Sequence, residues 1–232
     1  MKPIHSFTIL AFAAAVLIAV PKAKADSYSF GTLNVTVWTG SYVSGVTDVA
    51  TLPAPALPPT YTFTYDGPLN FVNNNPQGGS NTFGDFFGSN SSDISGLTSG
   101  ELTALLAATM STPGEIGSAT NTYMEFTGTI GASAGQTVTI ASDDGSSLYL
   151  NGSSTPLISM PDPQSLTSTT AALPAGSNPF TLVYVESNGS PADLGMSESP
   201  EPSSLLLLGT GLLGLALVVF RKGKQQPGFM VR

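Results

Sequence analysis

The chain has 232 residues, with 15 acidic side chains against 7 Lys and Arg, a single His, no Cys and a formal net charge of −8. Every Lys and Arg lies before Asp26 or after Phe220, and between Asp26 and Pro200 there is no basic side chain at all. Such a body cannot form a side-chain salt bridge and repels polyanions, which excludes nucleic acid as a partner. With His5 as the only histidine, it also has no thiolate nucleophile, no disulfide, no internal His base and no His- or Cys-ligated zinc. Metal cations, neutral glycans and basic proteins remain open.

Met1 and Lys2 form a short basic start, followed by an apolar run from Phe7 to Val20 relieved only by Thr8. Ala23-Lys24-Ala25 then supplies a small-x-small cleavage site, the pattern of a secretory signal peptide. The run is shorter than the ~20 residues needed to span a bilayer. The expected mature chain therefore begins at Asp26, and residues 1–25 are set aside.

The region 26–198 reads as all-β, because period-two alternation recurs between clusters of Gly, Pro, Asn and Ser. Expected strands are Leu33 to Trp38, Tyr61 to Tyr65, Met124 to Ile130, Gln136 to Ala141, Ser147 to Leu150 and Phe180 to Glu186. Short strands at that spacing predict an antiparallel β-sandwich. Pro53 to Pro59 reads as a polyproline-like connector rather than core. The Asn/Gly/Ser-rich stretch from Asn70 to Ser92 carries Phe71, Phe83, Phe86 and Phe87, so it is expected to be a long ordered loop folded onto the core. One short helix is expected after the capping box Thr98-Ser99-Gly100-Glu101, with Leu102, Leu105, Leu106 and Met110 on one face and Pro113 as its stop.

Several side chains have chemical readings. Trp38 with Tyr42 could make an aromatic sugar platform, although a lone Trp in a β-run is more often core. Glu115 and Glu125, with Asp143 and Asp144, could supply an acid and a base for glycoside hydrolysis, but that needs a separation which spacing does not fix. No nucleophile elbow, phosphate loop or metalloprotease helix occurs. The domain is therefore read as non-catalytic.

The tail reverses the pattern. Pro200-Glu201-Pro202 precedes an uncharged apolar run from Leu205 to Phe220, and Arg221, Lys222 and Lys224 follow at once. This arrangement resembles the PEP-CTERM sorting signal. The resemblance implies recognition by an exosortase in the inner membrane after passage through the secretion machinery, with processing near Pro200 to Pro202. The basic cluster would act as a membrane stop held on the cytoplasmic side. The expected organisation is a signal peptide over 1–25, a β-sandwich ectodomain over 26–198, a sorting segment over 199–225 with a transmembrane helix over 203–220, and a short tail over 226–232. The protein is expected to anchor transiently and then reside at the cell surface or in the extracellular matrix.

A second resemblance lies in Gln136 to Gly152, which contains Ser142-Asp143-Asp144-Gly145. It is similar to the central hairpin of the protective-antigen-type (PA-fourteen) domain. Leu173-Pro174-Ala175-Gly176, the strand Phe180 to Glu186 and the loop Ser187-Asn188-Gly189 continue the pattern. In sugar-binding members of that family the paired acids hold Ca²⁺, which in turn holds sugar hydroxyls. Asp143 and Asp144 match those acids, and Asn188 is the candidate amide ligand. Physically, adjacent carboxylates raise each other's pKa and call for compensation, and Ca²⁺ takes six to eight oxygen ligands. The competing reading is an Asp-Gly hairpin turn whose carboxylates bond nearby backbone N–H groups without any metal. Three functions follow, in this order: a calcium-assisted glycan-binding or adhesion module working in exopolysaccharide, an acidic structural matrix protein with no specific ligand, and last a carboxylate-only glycoside hydrolase.

Overall fold

The computed structural model describes residues 30–41, 45–73, 75, 79–114, 119–199, 208–216 and 220. The first half of the chain forms β1 (Leu33–Ser41), β2 (Tyr61–Tyr65), β3 (Asn70–Val72), β4 (Asn81–Thr82), helix α1 (Phe83–Phe87), a 3-10 turn (Gly88–Asp93), β5 (Ile94–Ser95), helix α2 (Ser99–Ala107) and β6 (Thr109–Ser111). The second half forms β7 (Thr120–Ala132), β8 (Thr137–Asp143), β9 (Gly145–Leu150), β10 (Ile158–Met160), β11 (Thr167–Ala172), β12 (Gly176–Glu186) and β13 (Asp193–Glu198). A seven-stranded sheet runs β10-β9-β12-β7-β1-β2-β5 and a four-stranded sheet runs β11-β8-β13-β3, with β4 and β6 paired separately.

Alternation explains the sandwich. Leu33, Val35 and Val37 of β1, Leu182 and Tyr184 of β12, Val138 and Ile140 of β8, and Leu194 and Met196 of β13 recur at every second position and share one buried cluster. Successive strand residues point to opposite faces, so each set lines the inner face of its sheet. The four Phe residues of the 70–92 stretch join that cluster. Phe71 meets Phe86 with centroids 4.7 Å apart, and Phe86 stacks on Tyr184 at 5.4 Å. Fully burying one such ring contributes about 1.5–3 kcal/mol, which holds this polar stretch down.

The seven-stranded sheet is covered outside as well. Trp38, Tyr123, Tyr149, Val183 and Val185 form a second cluster with Val46 and Ala50, against which Leu52 and Ala54 pack. Val46 to Ala54 therefore straps over the sheet, while Pro53 to Pro59 has no buried residue and stays outside the core, as the sequence predicts. Burial on both faces is also why Val183-Tyr184-Val185 is continuously apolar.

Three expectations are corrected. The 70–92 stretch contains a helix: Thr82 caps α1 with Asp85 in the same reciprocal box that Thr98 and Glu101 make for α2. Helix α2 ends at Ala107 and not at Pro113, because Thr109–Ser111 extends to pair with β4 and puts Met110 in the core on a strand. The Asp143-Asp144-Gly145 segment is not a hairpin, since β8 belongs to the four-stranded sheet and β9 to the seven-stranded one. It is a corner where the chain crosses between layers, and the Asp143–Asp144 peptide bond is cis.

The registers also fix the two ends of the sandwich. Leu33 of β1, Ala132 of β7, Gly176 of β12 and Glu198 of β13 lie at one end, while Ser41, Thr120, Asp143, Glu186 and Asp193 lie at the other. Residues 208–216 are helical, and all but the half-buried Ala216 are exposed. Among the described residues no helix is long and apolar enough to cross a membrane. Residues 203–207 and 217–219 of the expected 203–220 helix, together with Ala23, Ala25, Pro200, Glu201, Pro202, Arg221, Lys222 and Lys224, lie outside the described residues.

Candidate functional site

The corner between β8 and β9 concentrates carboxylates. Asp143 is 9 % exposed and Asp144 6 % exposed, far more buried than an aspartate in a surface turn. Asp143 Oδ2 accepts the Leu166 N–H at 3.0 Å. Asp144 Oδ2 accepts the Ser187 N–H at 2.8 Å and the Ser187 hydroxyl at 3.2 Å, and the carboxylate also takes the Gln164 backbone N–H. Burial raises the Asp143 carboxyl against the Leu166 bond, and burial pushes Asp144 up to about 7 against the Ser187 bonds, with the charge of Asp143 adding to it.

A third carboxylate stands opposite. Asp193 is the direct cross-strand partner of Asp143, and Val72 is the partner of Asp193 on the next strand. Like charges placed directly opposite on a sheet are destabilising. Asp193 Oδ1 accepts the Asn73 N–H at 2.8 Å, while burial raises its pKa. The pair is flanked by two exposed apolar side chains, Leu166 at 59 % and Val72 at 56 %. The corner therefore presents acids in the middle and apolar surface on either side.

Behind it lies a buried polar network that the sequence reading did not identify. Glu186 is fully buried at 0 % exposure. Its Oε1 accepts from Ser111 Oγ at 2.9 Å and Asn81 Nδ2 at 3.3 Å, and Asn81 Oδ1 in turn accepts from Asn73 Nδ2 at 2.5 Å. Tyr184 Oη lies 2.6 Å from the Asp143 carbonyl oxygen and 2.9 Å from Glu186 Oε2. Burial and then the charge of Asp144 drive the Glu186 carboxyl well above the ordinary glutamate range. The signal for Glu186 was available, because Leu182, Tyr184 and Glu186 share one strand face by alternation. A carboxylate in register with core residues is buried unless the strand ends first.

The sequence-derived candidates separate accordingly. Asn188 is exposed with a positive φ of 68°, and its Nδ2 donates to Ser187 Oγ at 3.3 Å. The residue that touches the Asp144 carboxylate is Ser187 and not Asn188. Trp38 is core: its Nε1 donates to the Leu57 carbonyl at 2.8 Å and its ring meets Tyr123 edge-on at 5.6 Å. Tyr42 and Glu115 lie outside the described residues. Glu125 is half-buried on the large sheet and accepts from Tyr123 Oη at 3.3 Å, and burial raises its pKa.

Calcium needs six to eight oxygens. Among the described residues no three Asp, Glu, His or Cys side chains converge as a metal-ligand group. Asp143 and Asp144 fit a cation as part of such a shell, because Asp143 commits only Oδ2 to a hydrogen bond. The remaining ligands would be amides, carbonyls, water or groups of a bound molecule.

Comparison with known proteins gives a sorting motif and a fold likeness. Residues 200–222 match the PEP-CTERM protein-sorting motif, which implies export, processing by an exosortase and a surface or extracellular destination. Among curated proteins none matches the chain. The structure is similar to the PA14 domain of the antifreeze protein MpAFP, at 14 % identity and a TM-score of 0.44 over 80 % of this chain and 90 % of that one. It is also similar to the PA14 sugar-binding domain from an RTX adhesin, at 15 % identity and a TM-score of 0.43 over 73 % of this chain and 89 % of that one. A weaker likeness is to a β-glucosidase from Kluyveromyces marxianus in complex with glucose, at 8 % identity and a TM-score of 0.36 over 73 % of this chain and 15 % of that enzyme.

Proposed function

We propose that this chain is an exported, non-catalytic surface or matrix module whose acidic corner binds Ca²⁺ and, through it, the hydroxyls of a neutral glycan in secreted exopolysaccharide. The carrying observation is the burial of Asp143 and Asp144 side by side, with Asp193 opposite, in a body that has no cation of its own. Each carboxylate there is held in a state that burial disfavours, so a divalent cation adds a favourable partner where none exists. Two carboxylates leave much of a calcium shell unfilled, and ligand hydroxyls suit those positions. Leu166 and Val72 supply exposed apolar surface on either side, as a sugar ring's C–H face requires.

Placement supports the same reading. β13 runs from Asp193 at the acidic corner to Glu198 at the other end, where the chain leaves toward the sorting segment that begins at residue 200. Six strand residues span roughly 17 Å at about 3.4 Å per residue. The candidate site therefore faces away from the point of attachment.

The alternative, an acidic structural matrix protein with no specific ligand, draws on the hydrogen bonds that Leu166 and Ser187 already make to the pair. Calorimetric titration separates the two. The proposal expects one calcium bound per exported chain, loss of that binding in Asp144→Asn, and glycan-array signals that disappear with chelator. Weak calcium uptake spread over many acids, unchanged by the substitution and with no glycan retained, would leave the structural reading.

A further inference from the structure

The two main sheets have four edge strands, and three of them are brief: β10 and β3 have three residues each and β5 has two. β11 is different. It has six residues, pairs with β8 in uninterrupted register, and has no strand on its other side among the described residues. A bare edge offers unpaired N–H and C=O groups to any extended chain, and proteins guard against this with short edges, charges, proline or bulges. Thr167–Ala172 has none of these guards, and no charged side chain occurs anywhere from Pro163 to Val185.

Two backbone bonds fix which groups of this edge are free. Leu173 donates its N–H to the Gln136 carbonyl, on the β11 side of the second strand, and Ser199 donates to the Thr137 carbonyl, on the β13 side. Backbone groups alternate in direction along an antiparallel strand. Thr167, Thr169 and Ala171 therefore turn theirs toward β8, while Ser168, Thr170 and Ala172 turn theirs outward. All three outward residues are exposed.

Electrostatics selects the occupant. A second copy of this chain has the same acidic, base-free body, so two copies repel except where their surfaces carry no charge, and β11 is such a surface. At its start Thr167 pairs with Ser142, which adjoins Asp143 of the acidic corner. Antiparallel docking about a twofold axis at Thr170 puts each corner beside the uncharged Ala172 end of the other copy and keeps the two corners apart. The same axis sets Ser168 opposite Ala172 of the second copy and Thr170 opposite its counterpart, where each pair exchanges both N–H···O bonds. Threonine pairs are favourable across strands, and a twofold contact of this kind closes at the dimer.

We propose that β11 is a self-association edge, through which two copies join their four-stranded sheets into one continuous antiparallel sheet. The contact uses backbone groups and is independent of calcium at the acidic corner. A single strand pair is smaller than a permanent interface, so the dimer forms at the high local density of a surface or matrix.

The test is sedimentation of the exported chain in chelator, from micromolar to millimolar concentration. The average mass should rise toward that of a dimer. Thr170→Pro removes an outward N–H and leaves the ladder to β8 intact, so it should keep the chain monomeric with a melting temperature within a few degrees of the unsubstituted protein. Thr170→Lys retains the N–H but sets like charges opposite each other on the axis. It should weaken association several-fold, even though the added cation lowers the general repulsion. Residue-resolved amide exchange supplies the pattern: on concentration, Ser168, Thr170 and Ala172 should exchange about tenfold more slowly while Thr169 and Ala171 change little. A monomer mass at every concentration, or association unaltered by both substitutions, would overturn the proposal. Association that appears only with calcium would place the contact at the carboxylates and overturn it as well.

Discussion

The hydroxyl of Tyr184 carries one hydrogen, yet it lies within bonding distance of both the Asp143 carbonyl and Glu186 Oε2. A carbonyl only accepts, so the Tyr184 hydrogen goes to Asp143, and the contact with Glu186 requires Glu186 to donate. Glu186 is therefore the neutral acid, in agreement with the direction in which burial moves it. Glutamine reproduces that pattern, with its NH₂ toward Tyr184 and its carbonyl toward Ser111. Glu186→Gln should keep the melting temperature within a few degrees. Glu186→Ala should lose about 2–4 kcal/mol in denaturant unfolding, because Ser111, Asn81 and Tyr184 lose a buried partner and a cavity remains. Loss of folding in the glutamine variant would mean that the acid is charged. Alternation in β12 carried a signal for Glu186 as an inward-facing acid that the sequence reading did not use, and Glu198 went unread because β13 was not expected. The contact between Ser187 and Asp144 was not visible, because it joins residues 43 apart in sequence across two sheets.

At the scale of elements, six strands were legible from their alternation, whereas β13 was missed although Leu194 and Met196 alternate into the core. β2 falls where the sequence places it, β1, β7, β9 and β12 extend the expected runs by a few residues, and β8 starts one residue later and ends two later than expected. β11, with the sequence Thr167-Ser168-Thr169-Thr170-Ala171-Ala172, carries little apolar signal because it is an exposed edge. β3, β4, β5, β6 and β10 have two or three residues each, too few for a period to show. The acidic corner was legible as a motif, yet its path was misread, because Asp-Gly signals a turn without saying whether the next strand returns to the same sheet. Gly145 shows the physical difference. A Cβ there would lie 2.4 Å from the Pro161 carbonyl oxygen and 2.9 Å from a Val185 methyl. This glycine serves close packing of backbone on backbone. Gly145→Ala should accordingly destabilise the fold markedly in chemical unfolding. Gly100→Ala, in open space on α2, should stabilise by about 0.5–1 kcal/mol. Equal effects at the two positions would contradict the corner geometry.

For the whole molecule the governing quantity is uncompensated acid. Burial raises Glu125, Asp143, Asp144, Glu186, Asp193 and Glu198, whereas Asp85 and Glu101 are lowered, chiefly by the hydroxyls of Thr82 and Thr98 that cap α1 and α2. A carboxyl whose folded pKa exceeds its unfolded value binds more protons when native, so stability declines as pH rises between the two values. For Asp144 that window runs from 3.8 to about 7. The two capping acids act in the opposite sense and lose their contribution only in stronger acid. Without divalent cations the exported protein should therefore be most stable in mildly acidic solution and should soften toward neutrality.

Calcium bound at the corner would favour the charged carboxylates and stabilise the native state in proportion to its occupancy. The most direct measurement is the melting temperature of the exported chain from about pH 5 to about pH 8, the range bracketing the upper end of this titration, taken with excess calcium and again with chelator. The expected curves diverge: the chelated protein loses stability as pH rises, calcium removes most of that loss, and Asp144→Asn erases the difference between them. Parallel or superimposed curves for the unsubstituted chain would contradict a calcium site at Asp143 and Asp144.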